Sequence, residues 1–164
     1  MKICTSIEQS KELMELGLDP KTADMEYILE QWIDEETGRH KEEYCEIPVV
    51  RVDDDDCPLQ QITLPCWSLS ALLEQLPLYI MSQFGGYHLN IERKEGVWKC
   101  GYCFYESSIG GYIYFAYSFV EDSFPAIEKP DLMDAVYEMM MNYLRFAKKF
   151  LPHAYFVKKE SNNK

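Results

Sequence analysis

The pattern most able to do chemistry in this chain is Cys100-Gly-Tyr-Cys103, two thiols separated by two residues. Such a pair works as a redox centre when it stands at a helix N-terminus, where backbone N–H groups and the helix dipole stabilise a thiolate. It works as half of a zinc site when two further ligands arrive with comparable spacing. The sequence meets neither condition. The motif falls inside a segment that reads as a strand, no second CxxC occurs, and Cys57, Cys66 and His88 have no ligand-pair spacing. Residues three apart on an extended strand also point to opposite faces, so Cys100 and Cys103 would not converge there. A metal-binding or thiol-redox role for Cys100 and Cys103 stands as an alternative, and ordinary buried thiols are the stronger reading.

Asp53-Asp54-Asp55-Asp56 could gather a hard cation through several carboxylate oxygens. The run lacks the glycine and glutamate placements of an EF-hand loop, and a solvated acidic loop is the expectation. Asp53, Asp54, Asp55 and Asp56, with Glu42 and Glu43, form the candidate interaction surface. His40, His88 and His153 share no HxxH or HExxH arrangement, and no GxSxG occurs. Gly85-Gly86 and Gly110-Gly111 are not followed by Lys-Ser/Thr and mark turns rather than phosphate loops. No catalytic residue is assigned and no cofactor is expected, so the reading leans away from an enzyme.

The net charge of −12 is unevenly placed: residues 24 to 56 hold thirteen acidic and three basic side chains, whereas residues 145 to 164 hold six basic and one acidic. Affinity for nucleic acid comes mainly from neutralising phosphates, so direct nucleic-acid binding is not expected, and a basic protein partner suits the acidic half. The first twenty residues carry no apolar h-region and no run of eighteen apolar residues occurs, which predicts neither a signal peptide nor a membrane span. Six scattered cysteines then read as free thiols in a reducing, cytoplasmic setting.

The elements that must position these residues form an α+β pattern. Helices are predicted near 6–16, 68–76 and 131–150. Thr5-Ser6-Ile7-Glu8 has capping-box spacing and Gly17 is a C-cap. Ser68 as N-cap puts Trp67 and Leu72 at the positions of a hydrophobic staple, ahead of Pro77. Trp67 with Leu69, Leu72, Leu73 and Leu76 reads as the plug joining the acidic N-terminal half to the rest. Leu132, Ala135, Val136, Met139, Met140, Tyr143, Leu144 and Ala147 form an unbroken i, i+3, i+4 stripe, with Asp131 as N-cap and Met141 off the stripe. Between the second and third helices, Tyr87–Glu92, Val97–Tyr105 and Tyr112–Val120 predict an antiparallel meander over about 87–120, turning at Lys94-Glu95-Gly96 and Ser107–Gly111.

Met25, Ile28, Leu29, Trp32 and Ile33 fit a helical stripe, yet a hairpin turning at Thr37-Gly38 and returning through Tyr44–Val50 fits as well. The hairpin is preferred. A single domain over 1–157 and a frayed basic tail over 158–164 complete the expectation.

Cys4-Thr5-Ser6 leading into Gln9–Leu18, Thr22-Ala23-Asp24-Met25, Pro65 with Trp67-Ser68-Leu69-Ser70-Ala71-Leu72-Leu73, and Asp134–Met139 together resemble a family of small uncharacterised proteins of gut anaerobic bacteria, associated with prophage and mobile elements. The resemblance implies a single α+β domain and supplies no catalytic residue. The leading expectation is a non-enzymatic accessory protein of a phage or mobile element that acts through protein–protein contacts. One version is an acidic decoy of nucleic acid. A structural homo-oligomer joined through the aromatic sheet is a further alternative.

Overall fold

The computed structural model describes residues 2–51, 62–82, 85–114 and 126–150. Within them the chain is α+β, with three helices and two antiparallel sheets, as the residue pattern predicts. It groups into two compact units, Lys2–Leu72 and the stretch from Leu73 onward. No described helix is long and apolar enough to cross a membrane.

The first unit begins with α1 (Ile7–Glu15), whose cap lies one residue later than the expected Thr5–Glu8 box. Ser6 Oγ accepts from Gln9 N and Gln9 Oε1 accepts from Ser6 N, closing the capping box reciprocally. Thr5 is not free to cap because its hydroxyl bonds Ser10 Oγ at 2.8 Å and accepts from Trp67 N at 3.1 Å. At the other end Gly17, at φ 91°, donates to Met14 O while Leu18 N donates to Leu13 O, a Schellman closure that this backbone conformation makes natural for glycine.

The ambiguous stretch is a strand, β1 (Met25–Ile33), paired antiparallel with β2 (His40–Tyr44) from Leu29↔Tyr44 to Ile33↔His40. The return begins earlier than Tyr44 because the turn closes early. Asp34 Oδ1 accepts from Glu36 N, Thr37 N and Thr37 Oγ1, and Gly38, at φ 64°, donates to Asp34 O. Of the expected return segment, Tyr44 ends β2, Cys45 N donates to Ile28 O, and Val49–Val50 (β3) pairs again with Glu26 and Met25. Thr63–Cys66 (β4) pairs with Met25–Ile28, so β1 has partners on both edges at Met25 and Glu26. That double pairing decides the strand over the helix, as tertiary context overrides a short periodic pattern.

Cys4, Tyr27, Leu64 and Cys66 form a buried cluster, with Ile7, Met14, Met25 and Tyr44 packed against it. The two sequence motifs around Asp24 and Trp67 meet nearby. Trp67, fully buried, donates its indole N–H to Thr22 Oγ1 at 2.9 Å, and Ser68 bonds Asp24 through both its backbone N–H and its hydroxyl. Ser68 Oγ also accepts from Ala71 N, the expected cap of α2 (Leu69–Gln75), which carries the chain into the second unit. Leu72 and Leu76 are buried, Leu69 and Leu73 half-buried.

The second unit is a five-stranded sheet in the order β5 (Tyr79–Ser82), β6 (Gly85–Lys94), β7 (Val97–Glu106), β8 (Gly111–Tyr114), with β9 (Ile127–Lys129) also on β7. The β6–β7 hairpin closes at Lys94↔Val97 through Glu95 (φ 51°) and Gly96 (φ 84°), the paired positive φ values of a type I′ turn. The third expected strand is β8 up to Tyr114; its residues 115–120 lie outside the described residues. β8 pairs with Cys103–Glu106 and β9 with Trp98–Cys100, which leaves Gly101 and Tyr102 between them.

Helix α3 (Leu132–Phe150) packs on β7 and β9, capped by Asp131, whose carboxylate accepts from Met133 N at 2.9 Å. Its buried arc is wider than the stripe read from the sequence: Met133 and Met141 are buried along with Ala135, Val136, Met139 and Met140. The expectation that Met141 stands off the packed face is therefore corrected.

Candidate functional site

The acidic residues that the sequence singles out fall in two places. Asp53, Asp54, Asp55 and Asp56 lie outside the described residues, while Glu42 and Glu43 lie exposed on β2. Their setting is the outer half of the β1–β2 hairpin. Tyr27, in the paired half of β1, is buried, but Glu30, Gln31, Trp32 and Ile33 are exposed, as are His40, Lys41, Glu42 and Glu43 opposite them. Among the described residues no strand pairs with Glu30–Ile33 on the side away from β2. The result is a two-stranded ribbon open to solvent on both faces.

Residues directly opposite in an antiparallel pair share a face. One face of the ribbon therefore carries Glu30, Trp32, Lys41 and Glu43, and the other Gln31, Ile33, His40 and Glu42. Trp32 is 42% exposed and Ile33 58%. Gln31 Nε2 donates to Glu42 Oε2 at 3.3 Å, and Lys41 is ion-paired with Asp34. Lys41 beside it, with the donors of Thr37, holds the Asp34 carboxyl below its usual range. Lys41 is thus engaged within the hairpin, and Glu30, Glu35, Glu36, Glu42 and Glu43 dominate what a partner would meet.

The arrangement is unfavourable in isolation. Glu30 and Glu43 stand opposite each other, and like charges at that spacing repel. A two-stranded ribbon is marginal by itself, and Trp32, 42% exposed, forgoes a large part of the stabilisation that full burial of a tryptophan gives. Local features that oppose stability in this way mark places where a chain does something other than fold.

Cys100 and Cys103 sit in the middle of β7, buried, on opposite faces of the strand. Cys100 pairs in the ladder with Ile91 and Ile127, Cys103 with His88 and Tyr114. Burial pushes the Cys100 thiol up to about 12, and burial followed by Glu92 raises that of Cys103. Both shifts oppose thiolate formation, the state that redox chemistry and metal ligation need. Among the described residues no group of three His, Cys, Asp or Glu side chains is placed to hold a metal ion.

A different thiol pair comes together in the first unit. Cys4 and Cys66, distant in sequence, share the buried cluster, and Cys66 is the largest influence on the Cys4 thiol, lowering it to about 7. Nothing in their spacing points to this; it follows from the antiparallel bridge between Cys4 and Ser68 and the bond from Thr5 N to Trp67 O. The exposure of Trp32 was equally hidden, since an apolar residue on an alternating strand reads as core. Set against known proteins, the chain matches no family model, no curated protein and no solved structure.

Proposed function

We propose that the chain is a non-enzymatic accessory protein acting through protein–protein contacts, and that the β1–β2 ribbon is the surface that meets a basic partner. The observation that carries this reading is the exposure of Trp32 and Ile33 on a ribbon whose charge is mostly carboxylate. Tryptophan is among the residues that concentrate binding energy, and surrounding carboxylates give steering and orientation toward a cationic surface. The setting in a phage or mobile element, which the sequence resemblance implies, belongs to the proposal, as does the narrower version in which the acidic surface occupies the nucleic-acid site of a basic protein.

The test uses a basic DNA-binding protein as probe and compares three chains. These are the wild type, a ribbon variant (Trp32→Ala with Glu42→Gln and Glu43→Gln), and a control that removes two carboxylates elsewhere (Glu12→Gln with Glu15→Gln). The expected result is binding that weakens as salt rises, that competes with DNA, and that the ribbon variant loses while the control keeps it. Equal weakening in both variants would show only bulk charge attraction and would overturn the reading.

A further inference from the structure

The acidic ribbon takes no part in the buried cluster of Cys4, Cys66 and Tyr27, which has chemistry of its own. We propose that Cys4 and Cys66 form a reversible oxidation site, taking a hydroperoxide as oxidant and closing to a disulfide that ties the N-terminal segment to β4.

Three observations carry it. The first is proximity: both cysteines sit in one packed cluster, and the antiparallel bridge of Cys4 to Ser68 brings Cys4 beside the strand that carries Cys66. The second is access on one side, since Cys4 is 5% exposed next to the exposed Lys2 and Ile3, whereas Cys66 has no exposure at all. The third is asymmetry in the hydrogen bonding. Cys4 Sγ donates to Thr5 O at 3.4 Å and lies 3.6 Å from Tyr27 Oη, whose own hydrogen goes to the same carbonyl at 2.9 Å, so the Cys4 sulfur sits among polar groups. Cys4 beside it, together with burial, raises the Cys66 thiol and holds it protonated. The neighbouring Cys66 is the largest influence on Cys4 and, with Tyr27, brings it down to about 7 against the opposing effects of burial and Asp24. Of the other charged groups around the cluster, Glu26 faces Cys66 and Glu8 faces Tyr27. Cys4 is accordingly the attacking sulfur and Cys66 the resolving one.

The steps balance. The Cys4 thiolate attacks the terminal oxygen of the hydroperoxide ROOH, the O–O bond breaks, and the sulfur becomes a sulfenic acid while RO⁻ leaves with the electron pair and takes up the proton that Cys4 released on ionising, giving ROH. The Cys66 sulfur then attacks the sulfenyl sulfur, the S–S bond forms, and hydroxide leaves as water with the Cys66 proton. Two thiols and one hydroperoxide thus give one disulfide, ROH and water.

Cys4 stands opposite Ser68 in the bridge, which makes Cys66 its diagonal neighbour, at roughly 7–8 Å between Cα atoms for that relation. This is slightly beyond the usual disulfide span. Closure therefore needs a local shift, and a bond closed in that way is readily reduced, the character of a switch rather than of a permanent staple.

The test treats the full chain in a Cys57→Ser background with hydrogen peroxide, blocks remaining thiols, digests with trypsin and maps disulfides by mass spectrometry. That background is needed because Cys57 and Cys66 share one tryptic peptide. The expected product is a peptide pair joined through Cys4 and Cys66, reversed by dithiothreitol, with Cys100 and Cys103 still free after denaturation. In a Cys66→Ala chain the expected product is dimedone-trapped sulfenic acid on Cys4. Because the first arm uses the native pair, a folding defect of the alanine chain does not disable the test. Cys4 and Cys66 remaining free while Cys45 oxidises, or disulfides scattered over all the cysteines, would overturn the proposal.

Discussion

Asp24 holds Ser68 by two bonds at once, accepting the backbone N–H at 2.8 Å on one carboxylate oxygen and the hydroxyl at 2.5 Å on the other. One residue belongs to the turn entering β1 and the other caps α2, so the carboxylate sets the cap that starts the helix. Asp24→Ala removes both bonds and leaves the Ser68 hydroxyl without its orienting acceptor. A loss of about 1–2 kcal/mol is expected, the scale of a lost cap. Asp24→Asn, which keeps one acceptor, loses less. Urea unfolding of the full chain measures both, and a null effect of Asp24→Ala would show that Ser68 caps without help.

Glu43 faces Glu30, and the pair should respond to a change of sign. Glu43→Lys converts repulsion to attraction, a gain of about 0.2–1 kcal/mol for a cross-strand pair, while it weakens binding to a basic protein. Stability and affinity moving in opposite directions is the expected outcome of paired denaturation and binding measurements. A parallel change would place the ribbon's role in folding.

Gly86 lies under the Tyr79 side chain, where an added Cβ would land on the phenol ring. Tyr79 also contacts His88, ring centroids 4.9 Å apart. Gly86→Ala must displace that ring, at a cost of about 1–3 kcal/mol. In the background Tyr79→Ala the same substitution should cost much less. A double-mutant cycle by thermal unfolding checks this, and additive effects would disprove the steric explanation.

Cys100 gives an alkaline signature. Its thiol ionises at 9.0 when unfolded and at about 12 when folded, so above pH 9 the unfolded chain releases its proton first. Stability linked to this group is complete below pH 9 and declines as pH rises from 9 toward 12. Cys100→Ala should flatten the loss over that window in a series of urea unfolding curves. An unchanged slope would exclude the group as its source.

What the residues revealed in advance divides by range. α3 was legible because one face repeats without interruption, and the Lys94-Glu95-Gly96 turn because its chemistry is local. α2 was legible from Ser68 and the staple positions alone. The burial of Met133 and Met141 was not, since a periodic stripe marks the centre of a buried face and not its width. β1 carries a helical spacing, and only its partners on both edges at Met25 and Glu26 make it a strand. Short β5 and β9 offer too few residues for a period. Of the candidate site, Glu42 and Glu43 were found by charge, whereas Trp32 and the Cys4–Cys66 pair depend on what surrounds them.

The bond from Trp67 N to the Thr5 hydroxyl joins residues 62 apart and lies in the interior of the first unit. During synthesis the residues around Thr5 emerge from the ribosome long before their partner does. At about 5–20 residues per second the delay is roughly 3–12 s. Through that interval Cys4 has no Ser68 to bridge to, Thr5 has only the nearby Ser10, and Trp67 has yet to be made. The unit is a knot tied by its latest-arriving residues, so any stall in translation before Trp67 leaves the thiol of Cys4 and the apolar face of α1 open to whatever is close by.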